Sequence, residues 1–285
     1  MTSATPLTSI CIEAREFLIK RDDLYDPYLS GNKFRKLYTL LKTPKEKYHT
    51  IISYGGTQSN AMLALAKLCY DKGWKFIYYT KELSEYQRNN PAGNYALALE
   101  FKMIHKEISH VLYKDFIASL SLNLDERTFL VHQGGAIKEA KEGVAVLAKE
   151  IKKQVDTTYA LATPSGTGTT AFFLAQALPA YKVYTTPSIG DVTYLKEQMQ
   201  ALGEIPQNLI ILDPSKKYPF GKPQKEFYEI YLKLKNAGVE FDLLYAPLMW
   251  KMLLEQTQEK ILYIHSGGVS GNETMKRRYE KKFGI

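Results

Sequence analysis

Short apolar runs alternate with amphipathic stretches through most of the chain. The apolar runs, bounded by polar residues, glycine or proline, predict β-strands at residues 17–19, 50–54, 75–80, 102–105, 128–131, 159–163, 181–185, 208–212 and 260–264. Apolar residues at helical spacing predict helices over residues 33–42, 61–71, 94–100, 140–152, 169–178, 192–201 and 224–236. Strands that alternate with helices in this way predict an α/β protein with mostly parallel sheets.

The composition fits a chain that folds around a core of ordinary size. The 285 residues are 45% hydrophobic, which allows one large domain or two modest ones. No run of about 18 apolar residues occurs, so we expect no membrane span. The N-terminus lacks the basic-then-apolar order of a secretory signal, and Cys11 and Cys69 stand in no metal or redox spacing. We therefore expect a cytoplasmic protein with reduced thiols.

Charge and histidine spacing argue against two further classes of ligand. The net charge of +8 is spread along the chain, with its densest cluster at residues 276–282, and no nucleic-acid-binding motif accompanies it. We therefore expect no nucleic-acid partner. His49, His105, His110 and His132 make no ligand spacing with each other or with cysteine, so we expect no catalytic metal.

Lys33 follows a Gly-Asn turn and lies on the first turn of the helix predicted over residues 33–42. The positive end of the helix dipole disfavours an ammonium group there, and partial burial would lower the pKa further. A neutral amine is what a lysine needs to form a Schiff base with a carbonyl group. The alternative is one more solvated lysine among the basic residues Arg35, Lys36 and Lys42.

Two polar loops follow predicted strands and open predicted helices. Residues 165–170 (Ser-Gly-Thr-Gly-Thr-Thr) offer backbone amides and hydroxyls at a helix start, which suits a phosphate group. The same loop fits the dinucleotide fingerprint, but the acidic residue which that motif needs is missing at the end of the next strand, residues 185–187. In residues 55–60 (Gly-Gly-Thr-Gln-Ser-Asn) the glycines permit close approach of a ligand, although Ser59 and Asn60 also suit a plain helix N-cap.

Taken in order, these motifs resemble the pyridoxal-phosphate (PLP) enzymes of the tryptophan-synthase-β fold type. The nearest match is the 1-aminocyclopropane-1-carboxylate (ACC) deaminase / D-cysteine desulfhydrase family, and the resemblance extends over about residues 17–268. The segments that carry it are Lys20-Arg21-Asp22-Asp23-Leu24, residues 30–37, 55–60 and 165–170, and His265-Ser266-Gly267-Gly268.

The resemblance implies a two-domain α/β architecture of PLP fold type II. It predicts mostly parallel sheets flanked by helices, with the active site in the cleft between the domains. Carried onto this chain, residues 1–42 and 134–285 would form the large PLP-binding domain, and residues 43–133 a small inserted domain.

The resemblance also implies roles for individual residues. Lys33 would carry PLP and remove the Cα proton, while Ser59 would lie beside the reacting atoms and Asn60 would bond the cofactor's phenolic oxygen. The predicted catalytic residues are Lys33, Ser59, Tyr245 and Tyr218. The predicted cofactor-binding residues are Lys33, Asn60, Ser165, Gly166, Thr167, Gly168, Thr169, Thr170 and Ser266. The predicted substrate contacts are Thr57, Gln58, Ser59 and Asn60.

Several positions depart from the family pattern. Ala61 stands where the family commonly has histidine, and Ala246-Pro247-Leu248 replaces the usual Gly-Lys after the second tyrosine, Tyr245. ACC deaminases place a glutamate at the position of Ala246. Ser266 can bond the pyridine nitrogen but cannot hold it protonated, so the ring would be a weaker electron sink, which favours β-elimination.

From these residues we expect a PLP-dependent lyase or deaminase that acts on a small amino acid. D-cysteine desulfhydrase activity, giving sulfide, pyruvate and ammonia, is the preferred assignment, and ACC deaminase is the alternative. More distant alternatives are an NAD-dependent oxidoreductase, which depends on the glycine loop alone, and a non-catalytic binding protein. We also expect a homodimer.

Overall fold

Two β-sheets with helices packed on them form the framework of the molecule. The computed structural model describes residues 4–122, 124–135, 139–214 and 216–285. Within these ranges the strands are β1 Leu7–Ile12, β2 Arg15–Lys20, β3 Thr50–Tyr54, β4 Lys75–Lys81, β5 Ile104–Ile108, β6 Thr128–Leu130, β7 Tyr159–Ala162, β8 Val183–Thr185, β9 Leu209–Ile211 and β10 Lys260–Ile264. The α-helices are α1 Asn32–Lys36, α2 Tyr38–Lys42, α3 Asn60–Lys72, α4 Glu85–Asn89, α5 Asn94–Glu100, α6 Tyr113–Ser119, α7 Ala140–Gln154, α8 Thr169–Ala177, α9 Val192–Gln200, α10 Lys225–Asn236, α11 Ala246–Gln256 and α12 Asn272–Phe283.

Strand pairing is parallel almost throughout. The larger sheet has the order β1-β2-β10-β7-β8-β9, in which β1 and β2 form an antiparallel hairpin and every other neighbouring pair is parallel. The smaller sheet has the order β5-β4-β3-β6 and is parallel throughout. Parallel strands need crossover connections, and helices provide most of them here. The predicted α/β class with mostly parallel sheets is confirmed.

The smaller sheet is built from one continuous part of the chain. Its strands begin at Thr50 and end at Leu130, and no strand of the larger sheet falls between these residues in the described ranges. This separation supports the predicted insertion of a small domain at residues 43–133, whose boundaries stay a prediction.

Each predicted strand and helix has a counterpart, with two differences in detail. The helix predicted over residues 33–42 is interrupted at Leu37, which has φ −94° and ψ 9° between α1 and α2. Leu37 is completely buried, so the break lies in the core rather than at the surface. The strand predicted at residues 102–105 begins only at Ile104, because Lys102 has φ 61° and ends the preceding helical turn.

Two of the elements that the pattern missed, the first strand β1 and helix α11, lack the usual sequence signals. The β1–β2 hairpin turns at Glu13 and Ala14, both with positive φ, where a two-residue turn normally calls for Asn-Gly. Helix α11 is buried along most of its length, so it has no polar face that would mark it as amphipathic.

A buried ion network fixes the position of helix α1. The Arg35 guanidinium donates to both carboxylate oxygens of Asp22, at 2.7 and 2.9 Å, and to both oxygens of Glu150 on α7, at 2.7 and 2.8 Å. The Lys20 ammonium at the end of β2 lies 2.7 Å from Glu150. The backbone oxygen of Asp22 also accepts a bond from Gly31, directly before α1. Three separate elements are therefore joined around the helix that carries Lys33.

In the described ranges no helix is long and apolar enough to cross a membrane. Cys11 is exposed and Cys69 is buried, and both are free thiols.

Candidate active site

A cavity of about 1090 Å³ opens where strands of both sheets end. Segments that follow β3 and β6 of the smaller sheet line it, together with segments that follow β7 and β10 of the larger sheet. Ligands in open α/β folds commonly bind beyond the carboxyl ends of the strands. The predicted site residues that line the cavity are Lys33, Thr57, Gln58, Ser59, Asn60, Gly166, Thr167, Thr169, Tyr245 and Ser266.

Lys33 reaches the cavity from the first turn of α1. Gly31, with φ 59°, lets this helix start lie directly against Ser266. A Cβ on Gly31 would stand only 2.1 Å from the Ser266 backbone, so the close approach needs glycine. The Lys33 ammonium donates to the Asn32 side chain at 2.7 Å. Burial lowers the pKa of Lys33 to about 8, while the negative charge of Asp242 opposes this shift. On the order of a tenth of Lys33 is therefore a neutral amine at pH 7, far more than for a lysine with an ordinary pKa.

Lys36 is a second lysine at the cavity, which the sequence reasoning treated only as a neighbour. Its side chain is buried, and its Nζ donates to the backbone oxygen of Gly134 at 3.2 Å. Burial and the adjacent charge of Lys33 lower the pKa of Lys36 well below its usual range. The sequence did contain a signal for Lys36: it stands three residues after Lys33, a spacing that puts both lysines on one helix face.

The glycine loop presents only part of itself to the cavity. Gly166, Thr167 and Thr169 line it, and a Cβ on Gly166 would point between Ile189 and Tyr245 at 3.4 Å from each. Gly168 instead has φ 74°, and a Cβ there would meet Met199 at 2.6 Å. A larger residue at Gly168 would therefore disturb packing rather than fill the cavity.

The two remaining hydroxyls of this loop are buried. Ser165 Oγ bonds Thr185 Oγ1 at 2.6 Å, and Ser165 is not among the cavity-lining residues. Thr170 is also buried, and its hydroxyl has no hydrogen-bond partner within the described residues.

The loop of residues 55–60 closes the cavity from the smaller sheet. Ser59 is the N-cap of α3 and accepts from the Met62 amide at 3.2 Å, so the N-cap alternative holds while Ser59 also lines the cavity. Asn60 Oδ1 accepts from the Asn94 side chain at 2.8 Å. Gln58 donates from its side-chain amide to Ala92 and accepts from the Asn94 backbone, so its polar atoms are already engaged.

Tyr245 lies at the start of α11, where Asp242 holds the backbone. One Asp242 oxygen accepts from the amides of Leu244 at 3.0 Å and Tyr245 at 2.6 Å, and its other oxygen is buried without a partner among the described residues. Burial raises the pKa of both Asp242 and Tyr245. Tyr245 is thus a protonated phenol beside Gly166. The sequence reasoning assigned no role to Asp242.

The structure does not bring Tyr218 to the cavity. Its ring packs on Phe227, with 4.7 Å between ring centroids, and Tyr218 is absent from the lining while Phe220 and Gly221 belong to it. Ser266 does line the cavity. His265 is completely buried, stacks on Phe241 and bonds the Glu240 backbone, so it packs in the core rather than lining the cavity.

The donors at one part of this cavity fit an anionic group such as the phosphate of PLP. Lys36, Thr167 and the helix start at Thr169 lie around it, and the Lys36 ammonium bonds the backbone carbonyl of Gly134 rather than a carboxylate. Lys33, with its lowered pKa, stands on the same helix face as Lys36. The residues present therefore suit a cofactor such as PLP, because Lys36 and the helix start could hold an anionic group and Lys33 could react with a carbonyl group.

No protein-family model matches the chain. Two curated proteins match along most of their length, both named "putative 1-aminocyclopropane-1-carboxylate deaminase". The one from Thermotoga maritima is 22% identical and is aligned over 91% of each chain. The one from Pyrococcus furiosus is 25% identical and is aligned over 90% of this chain and 85% of its own.

Solved structures share the fold at low sequence identity. An ACC deaminase homologue has a TM-score of 0.74 at 20% identity, over 97% of this chain and 94% of its own. A pyridoxal 5'-phosphate-dependent aspartate racemase has a TM-score of 0.66 at 11% identity, over 93% and 90%. A hydrogen sulfide-producing enzyme from Fusobacterium nucleatum has 0.61 at 14%, over 93% and 96%. These comparisons confirm the tryptophan-synthase-β-like fold and the resemblance to the ACC deaminase / D-cysteine desulfhydrase family.

Proposed function

We propose that this chain is a PLP-dependent enzyme that eliminates a group from Cβ of a small amino acid and deaminates the remainder, with D-cysteine as the preferred substrate. The observation that carries this function is Lys33, a lysine with a pKa near 8 in the same cavity as the glycine loop and Ser59. The similarity to proteins named as ACC deaminases and to a PLP-dependent racemase supports the cofactor and the enzyme class.

Lys33 would act twice. Bound PLP supplies a carbonyl group for Schiff-base formation and a conjugated ring that withdraws electrons from Cα. In the reaction, the neutral Lys33 amine would accept the Cα proton of the substrate, a task that a pKa near 8 suits. The Cβ–S bond then breaks, sulfide leaves with the electron pair, and water converts the three-carbon remainder to pyruvate and ammonia.

The neighbouring residues would bind and orient the substrate. The loop of residues 55–60 has backbone amides and the Ser59 hydroxyl at the start of α3, where a helix favours a carboxylate. Of the four predicted substrate contacts, Gln58 is the least available, because its side chain bonds Ala92 and Asn94. Tyr245, kept protonated by burial, can donate a proton or a hydrogen bond at the cavity wall.

The polarity near Ser266 favours elimination over ring opening of ACC. ACC has no Cα hydrogen, so opening its ring needs strong delocalisation of charge into the cofactor. Ser266 is neutral, Ala246 is buried and carries no carboxylate, and Glu139 is the one carboxylate among the described lining residues. The names of the curated relatives favour ACC deaminase, which therefore stays as the second candidate.

We predict that D-cysteine releases sulfide faster than ACC yields 2-oxobutanoate, by about tenfold or more, a difference of roughly 1.4 kcal/mol in the barrier. Both rates should be measured side by side with the purified enzyme at saturating PLP, with the Lys33→Ala variant as the blank. A faster rate with ACC would reverse the order of the two candidates.

We also predict that Lys36→Met weakens PLP binding by about 10-fold to 100-fold, since a hydrogen bond to a charged group contributes about 1.5–3 kcal/mol. The dissociation constant would be measured by titrating the apoprotein with PLP and following absorbance. Lys42→Met is the matched control, because Lys42 is exposed on α2 and does not line the cavity. Equal PLP affinity of the parent and the Lys36 variant would place the phosphate elsewhere.

The proposals for localisation, oligomeric state, partners and domain arrangement depend on the sequence and on the family resemblance. We propose a cytoplasmic homodimer with neither nucleic-acid nor membrane partners, and a cleft between a large domain and an inserted domain of residues 43–133.

An NAD-dependent oxidoreductase would need the glycine loop to serve a dinucleotide, whereas this loop shares its cavity with Lys33. A non-catalytic binding protein is tested by the same turnover assays.

A further inference from the structure

Arg278 on helix α12 reaches the same cavity from the C-terminal end of the chain. It lines the cavity together with Thr274 and Met275 of its own helix. Its Nη1 donates to the backbone oxygen of Gly221 at 3.2 Å. Within the described residues no carboxylate lies at ion-pair distance from Arg278, whereas its neighbour Arg277 pairs with Glu273 at 2.6 Å.

The position of Arg278 is on the Tyr245 side of the cavity. Gly221, its partner, follows Phe220, and the Phe220 ring lies 5.2 Å from the Tyr245 ring. All of these residues line the cavity. A ligand that extends from the reacting carbons past Tyr245 would therefore meet a guanidinium group.

The charges that line the cavity exceed what the cofactor and a small neutral substrate need. In the proposed function, Lys36 would bind the phosphate of PLP and Lys33 would react with its carbonyl carbon. Arg278 then has no anionic group of the cofactor to bind. Glu139 is the sole carboxylate of the described lining. The cavity volume of about 1090 Å³ lies at the upper end of the range for ligand sites, so it has room for a substrate longer than cysteine.

We propose that Arg278 recognises a second anionic group at the far end of a longer substrate, so that among S-substituted cysteines those with an acidic substituent are preferred over their neutral counterparts. This substrate class rests on the proposed function. A planar guanidinium with N–H donors left over after its single backbone bond can hold a carboxylate through two parallel hydrogen bonds.

S-carboxymethylcysteine and S-carbamoylmethylcysteine form a matched pair of probes. They differ only in a terminal carboxylate or amide, and elimination breaks the same Cβ–S bond in each. Lys33 takes the Cα proton, the sulfur leaves as thioglycolate or its amide with the electron pair, and water yields pyruvate and ammonia. Each compound would be used as separate D and L enantiomers.

The test measures binding as well as turnover, with the PLP-loaded enzyme and calorimetric titration of each probe. We expect the carboxylate probe to bind at least about tenfold more tightly than the amide, as expected for a hydrogen bond to a charged group. Arg278→Met should remove this preference by weakening the carboxylate probe to about the affinity of the amide, with little change in the affinity for the amide. Arg277→Met, the matched control, should retain the preference.

Three results would overturn the role of Arg278. They are equal affinity of the parent for both probes, measurable affinity for neither, and an equal loss of affinity for both in Arg278→Met, which would assign Arg278 to the α-carboxylate. These results are independent of the proposed reaction. An enzyme that binds the probes selectively but turns over no amino acid would refute the elimination and leave the anion preference standing.

Discussion

Lys33→Ala is expected to abolish covalent attachment of PLP and to lower the turnover of D-cysteine by at least about 10³-fold, because the variant loses both the Schiff-base amine and the base for the Cα proton. Absorbance of the Schiff base and release of sulfide measure the two effects separately. Lys33 lies at the cavity surface rather than in the hydrophobic core, so the variant should keep the parent's circular dichroism spectrum.

Two controls make this expectation specific to Lys33. Lys42→Ala should behave like the parent, since Lys42 is exposed and outside the cavity lining. In the parent, the rate of PLP capture by the apoprotein should rise with pH and level off above about 8, since the neutral amine is the nucleophile. Borohydride reduction that leaves the cofactor on Lys36 or Lys42 would contradict the assignment.

Arg35→Met is expected to destabilise the fold by about 3–5 kcal/mol, the usual cost of removing one partner from a buried ion pair. The substitution leaves the carboxylates of Asp22 and Glu150 without the guanidinium that they share. Methionine is close to arginine in length and can occupy the space of the arginine methylene groups. Lost packing should therefore contribute little to the change in the free energy of unfolding. Urea unfolding followed by circular dichroism gives the free energy of unfolding.

The matched control for Arg35 is an exposed ion pair. Arg88 donates to Glu107 at 2.8 and 2.9 Å, a geometry close to that of Arg35, but both side chains contact solvent. Arg88→Met should therefore change the unfolding midpoint only slightly. Equal effects of the two substitutions would mean that burial does not decide the strength of the Arg35 network.

The loss of Arg35 should also weaken cofactor binding at the candidate active site. The network joins β2 and α7 to the start of α1, which carries Lys33 and Lys36. Any Arg35→Met protein that remains folded at low temperature should bind PLP more weakly than the parent. Unchanged PLP affinity in such protein would show that α1 keeps its position without the network.

The sequence by itself determined the features that depend on neighbouring residues. Alternating apolar runs and amphipathic segments were enough for the α/β class, because side-chain periodicity follows directly from strand and helix geometry. The loops of residues 55–60 and 165–170 were recognisable as candidate anion-binding loops, because such sites at helix starts use consecutive backbone amides. Lys33 was recognisable as a candidate Schiff-base lysine because the Gly-Asn turn and the helix that hold it are its immediate neighbours in the sequence.

Only the tertiary structure decided features that depend on residues far apart in the chain. Arg278 and Lys33 are separated by most of the sequence and line one cavity, and the burial of Lys36 depends on packing that its local sequence does not show. Tyr218, which the family resemblance put among the catalytic residues, packs on Phe227 instead. Helix α11 is apolar on most of its surface, so its pattern could not mark it as a helix. Burial and long-range packing set these outcomes, and neither is encoded in local periodicity.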